Sequence, residues 1–210
     1  MGKLVHGVGI NDADYVVTVH EQYRHVDGKL KLKQVWMCPF YQTWKGMLER
    51  GYSVNYKLKF PTYKDVTVCE EWLLFSTFKS WMEKQEWEGL QLDKDLLVKG
   101  NKVYRPEACV FVSGQVNSFM LDCGASKGNY KIGVSWNKQN GKFMARCNNP
   151  FNSEQEYLGY FTDEEDAHQA WFDKKIEHAY TLAALQMDER VAKALIDYYK
   201  FYGTTPENFP

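Results

Sequence analysis

Long apolar runs are missing from this 210-residue chain: no stretch of 18 consecutive apolar residues occurs, so no membrane-crossing helix is expected. The opening Met1-Gly-Lys-Leu-Val-His has no apolar signal-peptide core, and a soluble, cytoplasmic protein is the expectation. Cysteine is sparse and poorly arranged for cross-linking. Cys38, Cys69, Cys109, Cys123 and Cys147 are odd in number, and no two have Cys-x-x-Cys spacing, which argues against a disulfide framework. Buried free thiols are the ordinary reading, with a zinc site built from four of them as the alternative. Repeats and low-complexity tracts are absent too. A surplus of either charge is also lacking. The 26 basic and 27 acidic residues leave a net charge of -1. Any binding to nucleic acid must therefore rest on a local basic face.

What is present is a globular composition, 44% apolar and 16% aromatic, long enough for one large domain or two small ones. Asp27-Gly28 marks a hairpin turn within residues 1–35, a segment with no evident chemistry. Pro39 suits the first turn of a helix reaching about Arg50. Tyr41, Trp44 and Leu48 form its buried stripe, Lys45, Glu49 and Arg50 face outward, and Gly51 ends it. Thr67-Val-Cys-Glu70 fits a capping box that opens the next helix. Trp72, Phe75, Phe78 and Trp81 then line one face, either as core or as an aromatic cage for a ligand.

The segment Leu92–Asn117 carries the most information. An apolar run with two aspartates (Leu92-Asp-Lys-Asp-Leu-Leu97) leads through a Gly100-Asn101 turn to a β-rich run (Ala108-Cys-Val-Phe-Val112) and then Asn117. A strand–loop–strand–helix unit in this order gathers carboxylate and amide oxygens, the donor set of a hard divalent cation. Strand alternation puts Asp93 and Asp95 on one face and Lys94 on the other, unless the strand end lets Lys94 turn inward. Two like charges so close favour a cation beside them. A hairpin with solvated aspartates and a capping asparagine is the plainer alternative.

Beyond residue 126, Gly, Asn and Lys rise, and short alternating runs occur at Tyr130–Trp136, Lys142–Cys147 and Tyr157–Phe161. Asn140-Gly141 is a hairpin signal. A second capping box, Thr162-Asp-Glu-Glu165, opens a helix with Ala167, Ala170 and Trp171 on one side. The acidic run Asp163–Asp166 suits its first turn, where the helix dipole is positive. A last amphipathic helix is expected from about Asp188 to Tyr202, with Val191, Leu195, Tyr198 and Tyr202 on one face. Domains are expected at 1–125, 126–185 and 186–210.

Residues 36–120 resemble the HNH (His-Me finger, ββα-metal) endonucleases, and more closely a phage-encoded, homing-type branch. The likeness rests on the Leu92–Asn117 unit with Cys38-Pro-Phe-Tyr, Trp44-Lys-Gly-Met-Leu-Glu-Arg and Glu71-Trp-x-x-Phe-x-x-Phe-x-x-Trp. It implies a metal-dependent DNA endonuclease using Mg²⁺ or Mn²⁺, with Asp93 and Asn117 as metal ligands and Asn101 as the loop asparagine that orients the general base. The general base, normally histidine, is here Lys94, and none of His6, His20, His25, His168 or His178 lies in the motif. With a reference pKa near 10.4, a lysine is charged at neutral pH and a poor base. Three readings follow. Asp95 or a metal-bound hydroxide takes the proton, Lys94 steadies the developing phosphate charge, or cleavage is lost and a DNA-binding regulator remains. A single such centre leaves a nick, or a double-strand break through a homodimer.

Residues 128–183 resemble the Apetala-type, ethylene-response-factor DNA-binding domain. The residues that carry this are Ile132-Gly-Val-Ser-Trp136, Gly141-Lys-Phe-Met-Ala-Arg146, Leu158-Gly-Tyr-Phe-Thr162 and Glu164-Glu-Asp-Ala-His-Gln-Ala-Trp171. The resemblance implies that a three-stranded antiparallel sheet enters the major groove of double-stranded DNA, braced by a helix behind it. Alternation puts Lys142, Met144 and Arg146 on one face, with Phe143 and Ala145 toward the helix. Ser135, Trp136, Lys138 and Tyr157 complete the expected DNA contacts. Arg146 suits guanine, and Lys131, Lys138 and Lys142 suit phosphates. A solvated sheet face is the alternative. The fold class expected overall is α+β: a ββα-metal core, a sheet-plus-helix domain and a C-terminal helix.

Overall fold

A computed structural model describes residues 4–121 and 129–200. It shows a mixed α+β chain that divides into two units after Phe111. The expected boundary near residue 125 is thus replaced by an earlier one. Cys123 and the Gly124–Gly128 stretch lie outside the described residues, as does Tyr202.

The first unit opens with a hairpin, β1 (Thr18–Arg24) and β2 (Leu30–Met37), closed at the Asp27–Gly28 turn, where the Gly28 amide donates to His25 O at 2.9 Å. Helix α1 (Pro39–Tyr52) starts with proline in its first turn and is followed by α2 (Val54–Lys59). Trp44, Met47 and Leu48 are fully buried. Gly51 does not end the helix, as its position had suggested. It lies within α1, where a Cβ would come 3.2 Å from the Val68 methyl, and Ser53 is the C-cap. Glycine here allows close packing on β3 (Thr67–Val68).

The expected capping box at Thr67 is overturned for the same reason. Thr67 lies in β3, paired in parallel with β5 (Val103–Tyr104), and its amide donates to Lys102 O at 2.9 Å. Helix α3 (Phe75–Met82) begins only after a single 3-10 turn at Glu70–Leu73. Trp72, Phe75 and Phe78 are core residues packed on α1, and the Trp44 indole donates to Trp72 O at 2.7 Å. A ligand cannot reach rings that are 0–1% exposed, so these three serve the core rather than a cage; Trp81 is half-buried on its edge. Strand β4 (Gln91–Asp93) pairs with β6 (Val110–Val112).

The second unit contains α4 (Gly114–Leu121) and an antiparallel sheet of β7 (Val134–Asn137), β8 (Lys142–Asn148) and β9 (Gln155–Phe161), in that order. Helices α5 (Glu164–Ala184) and α6 (Glu189–Lys200) follow. Asp163, not Thr162, caps α5, its carboxylate accepting from the Glu165 and Asp166 amides. Helix α5 covers one face of the sheet through Ala145, Cys147, Ala167 and Trp171, all buried. Gly133, at φ +80°, lies so close to Trp171 that a Cβ would fall 2.1 Å from the ring. Helix α6 packs on α5 through Val191, Leu195 and Tyr199; Tyr199 takes the buried place expected for Tyr198. Helix α4 joins this unit because Phe119 packs 5.3 Å from the Tyr199 ring and the buried Lys175 ammonium lies 4.2 Å from the centre of the Phe119 ring. These contacts, invisible to spacing, move the boundary ahead of α4. No helix among the described residues is long and apolar enough to cross a membrane.

Candidate metal-binding turn and nucleic-acid interface

Strand β4 stops at Asp93, which removes the alternation expected of the next two residues. Asp93 is half-buried, Lys94 is buried at 7% exposure, and Asp95 is exposed. The Asp93 carboxylate accepts from the amides of Asp95 at 2.9 Å and Leu96 at 2.7 Å, so it also sets the turn. Lys94 turns inward and ion-pairs with Asp95 at 3.0 Å, and its ammonium lies 5.8 Å from the centre of the Tyr63 ring. With β4 ended at Asp93, strand alternation does not extend to Lys94 and Asp95, and Lys94 pairs with Asp95 alone of the two.

Asn101 closes the loop. Its amide donates to Lys94 O at 2.6 Å and Val103 O at 2.7 Å, while its Oδ1 accepts from the Val103 amide at 3.2 Å. One bond to Lys94 O and two to Val103 fix the Lys94–Asp95 peptide relative to β5. Asn117 lies on α4, its amide bonded to Ser113 O at 3.0 Å. Asp93 belongs to the first unit and Asn117 to the second.

Burial, and then the charge of Asp95, push the Asp93 carboxyl up from the ordinary carboxylate range; the two amide bonds and Lys94 oppose this. Carboxylate oxygens such as those of Asp93 are the hard donor type that divalent ions take. Among the described residues no three His, Cys, Asp or Glu side chains gather as a metal-holding group. Burial also pushes the Cys69 thiol up to about 11 and the Cys109 thiol up to about 12, which keeps both protonated at neutral pH.

The uncovered face of the β7–β9 sheet is the second candidate site. Register pairs Met144 with both Ser135 and Tyr160, Asn137 with Lys142, and Arg146 with Tyr157. Residues directly opposed share a face, so Ser135, Asn137, Lys142, Met144, Arg146, Tyr157 and Tyr160 lie together, away from α5. No carboxylate stands among them. Arg146 donates to Gln155 Oε1 at 3.1 Å, and Gln155 donates to Asn148 Oδ1 at 3.4 Å, an arrangement that positions the guanidinium. Lys138 is exposed just beyond β7.

Two of the expected contacts are corrected by this geometry. Trp136 pairs with Phe143, ring centroids 4.8 Å apart, and so belongs to the α5 side of the sheet. Lys131 is held at the α5 N-terminus: its ammonium pairs with Glu165, and its amide donates to Glu164 at 2.6 Å.

Asn137 and Tyr160 are face residues that the sequence reading missed. Simple alternation sets Tyr160 opposite to Tyr157, but an irregularity in the β8–β9 register, with Gly159 at φ +134°, brings both rings to one side, 5.4 Å apart. Asn137 donates to the Tyr160 hydroxyl at 3.1 Å. The Asn140-Gly141 turn could have revealed Asn137, since it fixes the pairing with Lys142.

Compared with known proteins, the chain matches no family model, no curated protein and no solved structure.

Proposed function

We propose that this chain is a metal-dependent DNA endonuclease of the HNH kind, of phage homing type, held on duplex DNA by the open face of its β7–β9 sheet. The observation that carries the reading is the turn at Asp93: a pressed carboxylate, a buried lysine and an asparagine that ties the lysine carbonyl in place. Asp93 would hold Mg²⁺ or Mn²⁺, and the ion would supply Lewis-acid chemistry at the scissile phosphate. Lys94 is not the base. Its ammonium ion-pairs with Asp95 at 3.0 Å, and its part is to steady charge on the phosphate. Asp95, the exposed member of the pair, takes the proton of the attacking water.

On the sheet, Arg146 meets guanine, Lys138 and Lys142 meet phosphates, and Ser135, Asn137, Tyr157 and Tyr160 supply hydrogen bonds around Met144. A sheet of this width suits the major groove, about 12 Å across.

Incubating duplex DNA with the protein and Mg²⁺ or Mn²⁺ tests the proposal. Cleavage that Asp93→Ala abolishes is the expected result; equal cleavage by the variant would refute the assignment of the metal ligand. The rival is a DNA-binding regulator, favoured by the absence of a histidine where Lys94 stands. Wild-type protein that binds duplex DNA without cutting it under either ion would favour that rival.

A further inference from the structure

The β1–β2 hairpin has no covering layer. Almost every residue from Val19 to Trp36 is exposed, Leu30 at 62%, Leu32 at 66% and Val26 at the tip at 99%. A two-stranded ribbon with both faces in water is marginal on its own, and this one also concentrates charge. Arg24, Lys29, Lys31 and Lys33 against Glu21 and Asp27 give the segment +2, which leaves the rest of the chain at -3.

Register separates the two faces. His20 pairs with Gln34, Gln22 with Leu32, and Arg24 with Leu30, so one face presents hydrogen-bonding and apolar groups and no carboxylate. The opposite face has Lys31 across from Tyr23 and Lys33 across from Glu21, with Asp27 engaged by Lys31 at 3.6 Å.

We propose that this hairpin is a second DNA contact: a β-ribbon arm that enters the major groove with its Gln22–Arg24–Leu30–Leu32–Gln34 face toward the base edges. The inference rests on the DNA-binding reading above and adds an arm to it. The dimensions agree. Strands about 4.8 Å apart and about 27 Å long fit a groove about 12 Å wide and 8.5 Å deep. Gln and Arg match the hydrogen-bonding edges of adenine and guanine, and Leu matches the thymine methyl. The lysines of the outer face are long enough to reach the phosphate walls. The surplus of +2 on this arm complements a polyanion such as duplex DNA.

The test is salt-dependent binding of the full chain to a fluorescent random-sequence duplex. Each lost phosphate contact should lower the slope of log affinity against log salt by about 0.9, so Lys29→Gln/Lys31→Gln/Lys33→Gln together should flatten it by roughly 2 to 3. These exposed substitutions leave the core intact, which a thermal melt verifies. An unchanged slope, with Arg146→Ala still weakening binding, would overturn the arm while sparing the sheet. No duplex binding by the wild type would overturn both. A wild-type dimer that Leu30→Ser/Leu32→Ser converts to monomer in sedimentation, alongside an unchanged salt slope, would reassign the hairpin to self-association and overturn the proposal.

Discussion

Replacing Asn101 separates the stability of the candidate turn from its chemistry. Asn101→Ala removes three hydrogen bonds, at 2.6, 2.7 and 3.2 Å. Each is worth about 0.5–1.5 kcal/mol net, and water can replace part of this because the residue is half-buried. A loss of about 2 kcal/mol is expected, small enough for the protein to stay folded against a total of about 5–15 kcal/mol. Asn101→Asp should be worse at neutral pH. It places a carboxylate oxygen against the carbonyls of Lys94 and Val103, close to Asp93 and Asp95. That charge raises the new group's folded pKa above its unfolded value near 3.9. Its protonated form can donate to one carbonyl, so the variant should recover below pH 4 and weaken as pH rises through the folded value. Urea unfolding followed by tryptophan fluorescence should therefore rank wild type, then Ala, then Asp at pH 7, with the last two converging in acid. Cleavage should fall by roughly 100-fold in Asn101→Ala, since a displacement near 1 Å costs about that much. An Asp variant as stable as Ala at pH 7 would refute the bracing role, and undiminished cleavage would separate the loop from catalysis.

Gly133→Ala should cost about 2–5 kcal/mol, combining a left-handed backbone (about 1–2) with overpacking on Trp171 (about 1–3); urea unfolding of the second unit checks it. Asp163→Ala removes the α5 cap and should cost about 1 kcal/mol, read in the same experiment. Burial lowers the His178 pKa, against the pull of Glu156. The unfolded chain then binds more protons below about pH 6.5, so stability should fall as pH drops from there through the folded value. His178→Gln should remove that phase in melts taken from pH 7.5 to 5. Arg146→Ala should weaken duplex binding by about 1–3 kcal/mol and relax preference at one base pair, checked by gel-shift titration on selected sequences.

The elements that the sequence announced are those with a local cause. Pro39 opens α1, Asp27-Gly28 and Asn140-Gly141 turn two hairpins, and acidic residues head α5, because turn chemistry and capping act over a few residues. The β7–β9 sheet with Ala145 toward α5 was legible in the same way, from alternation alone. What stayed hidden depended on partners far along the chain. Thr67 reads as a helix cap until β5 pairs with it and makes it a strand. Gly51 reads as a helix stop until Val68 packs on it. Tyr160 joins the open side of the sheet only through a bulge opposite β8, and Trp136 leaves that side once Phe143 is known to oppose it. At the candidate site, residue types and order named Asp93, Lys94 and Asn101. That Lys94 turns inward to Asp95, and that Asn101 grips its carbonyl, was decided by the end of β4 and the arrival of β5. Sequence determined which groups were available, since covalent neighbours set local conformation. Tertiary packing decided which of them meet, because strand pairing and burial join residues that no local spacing connects.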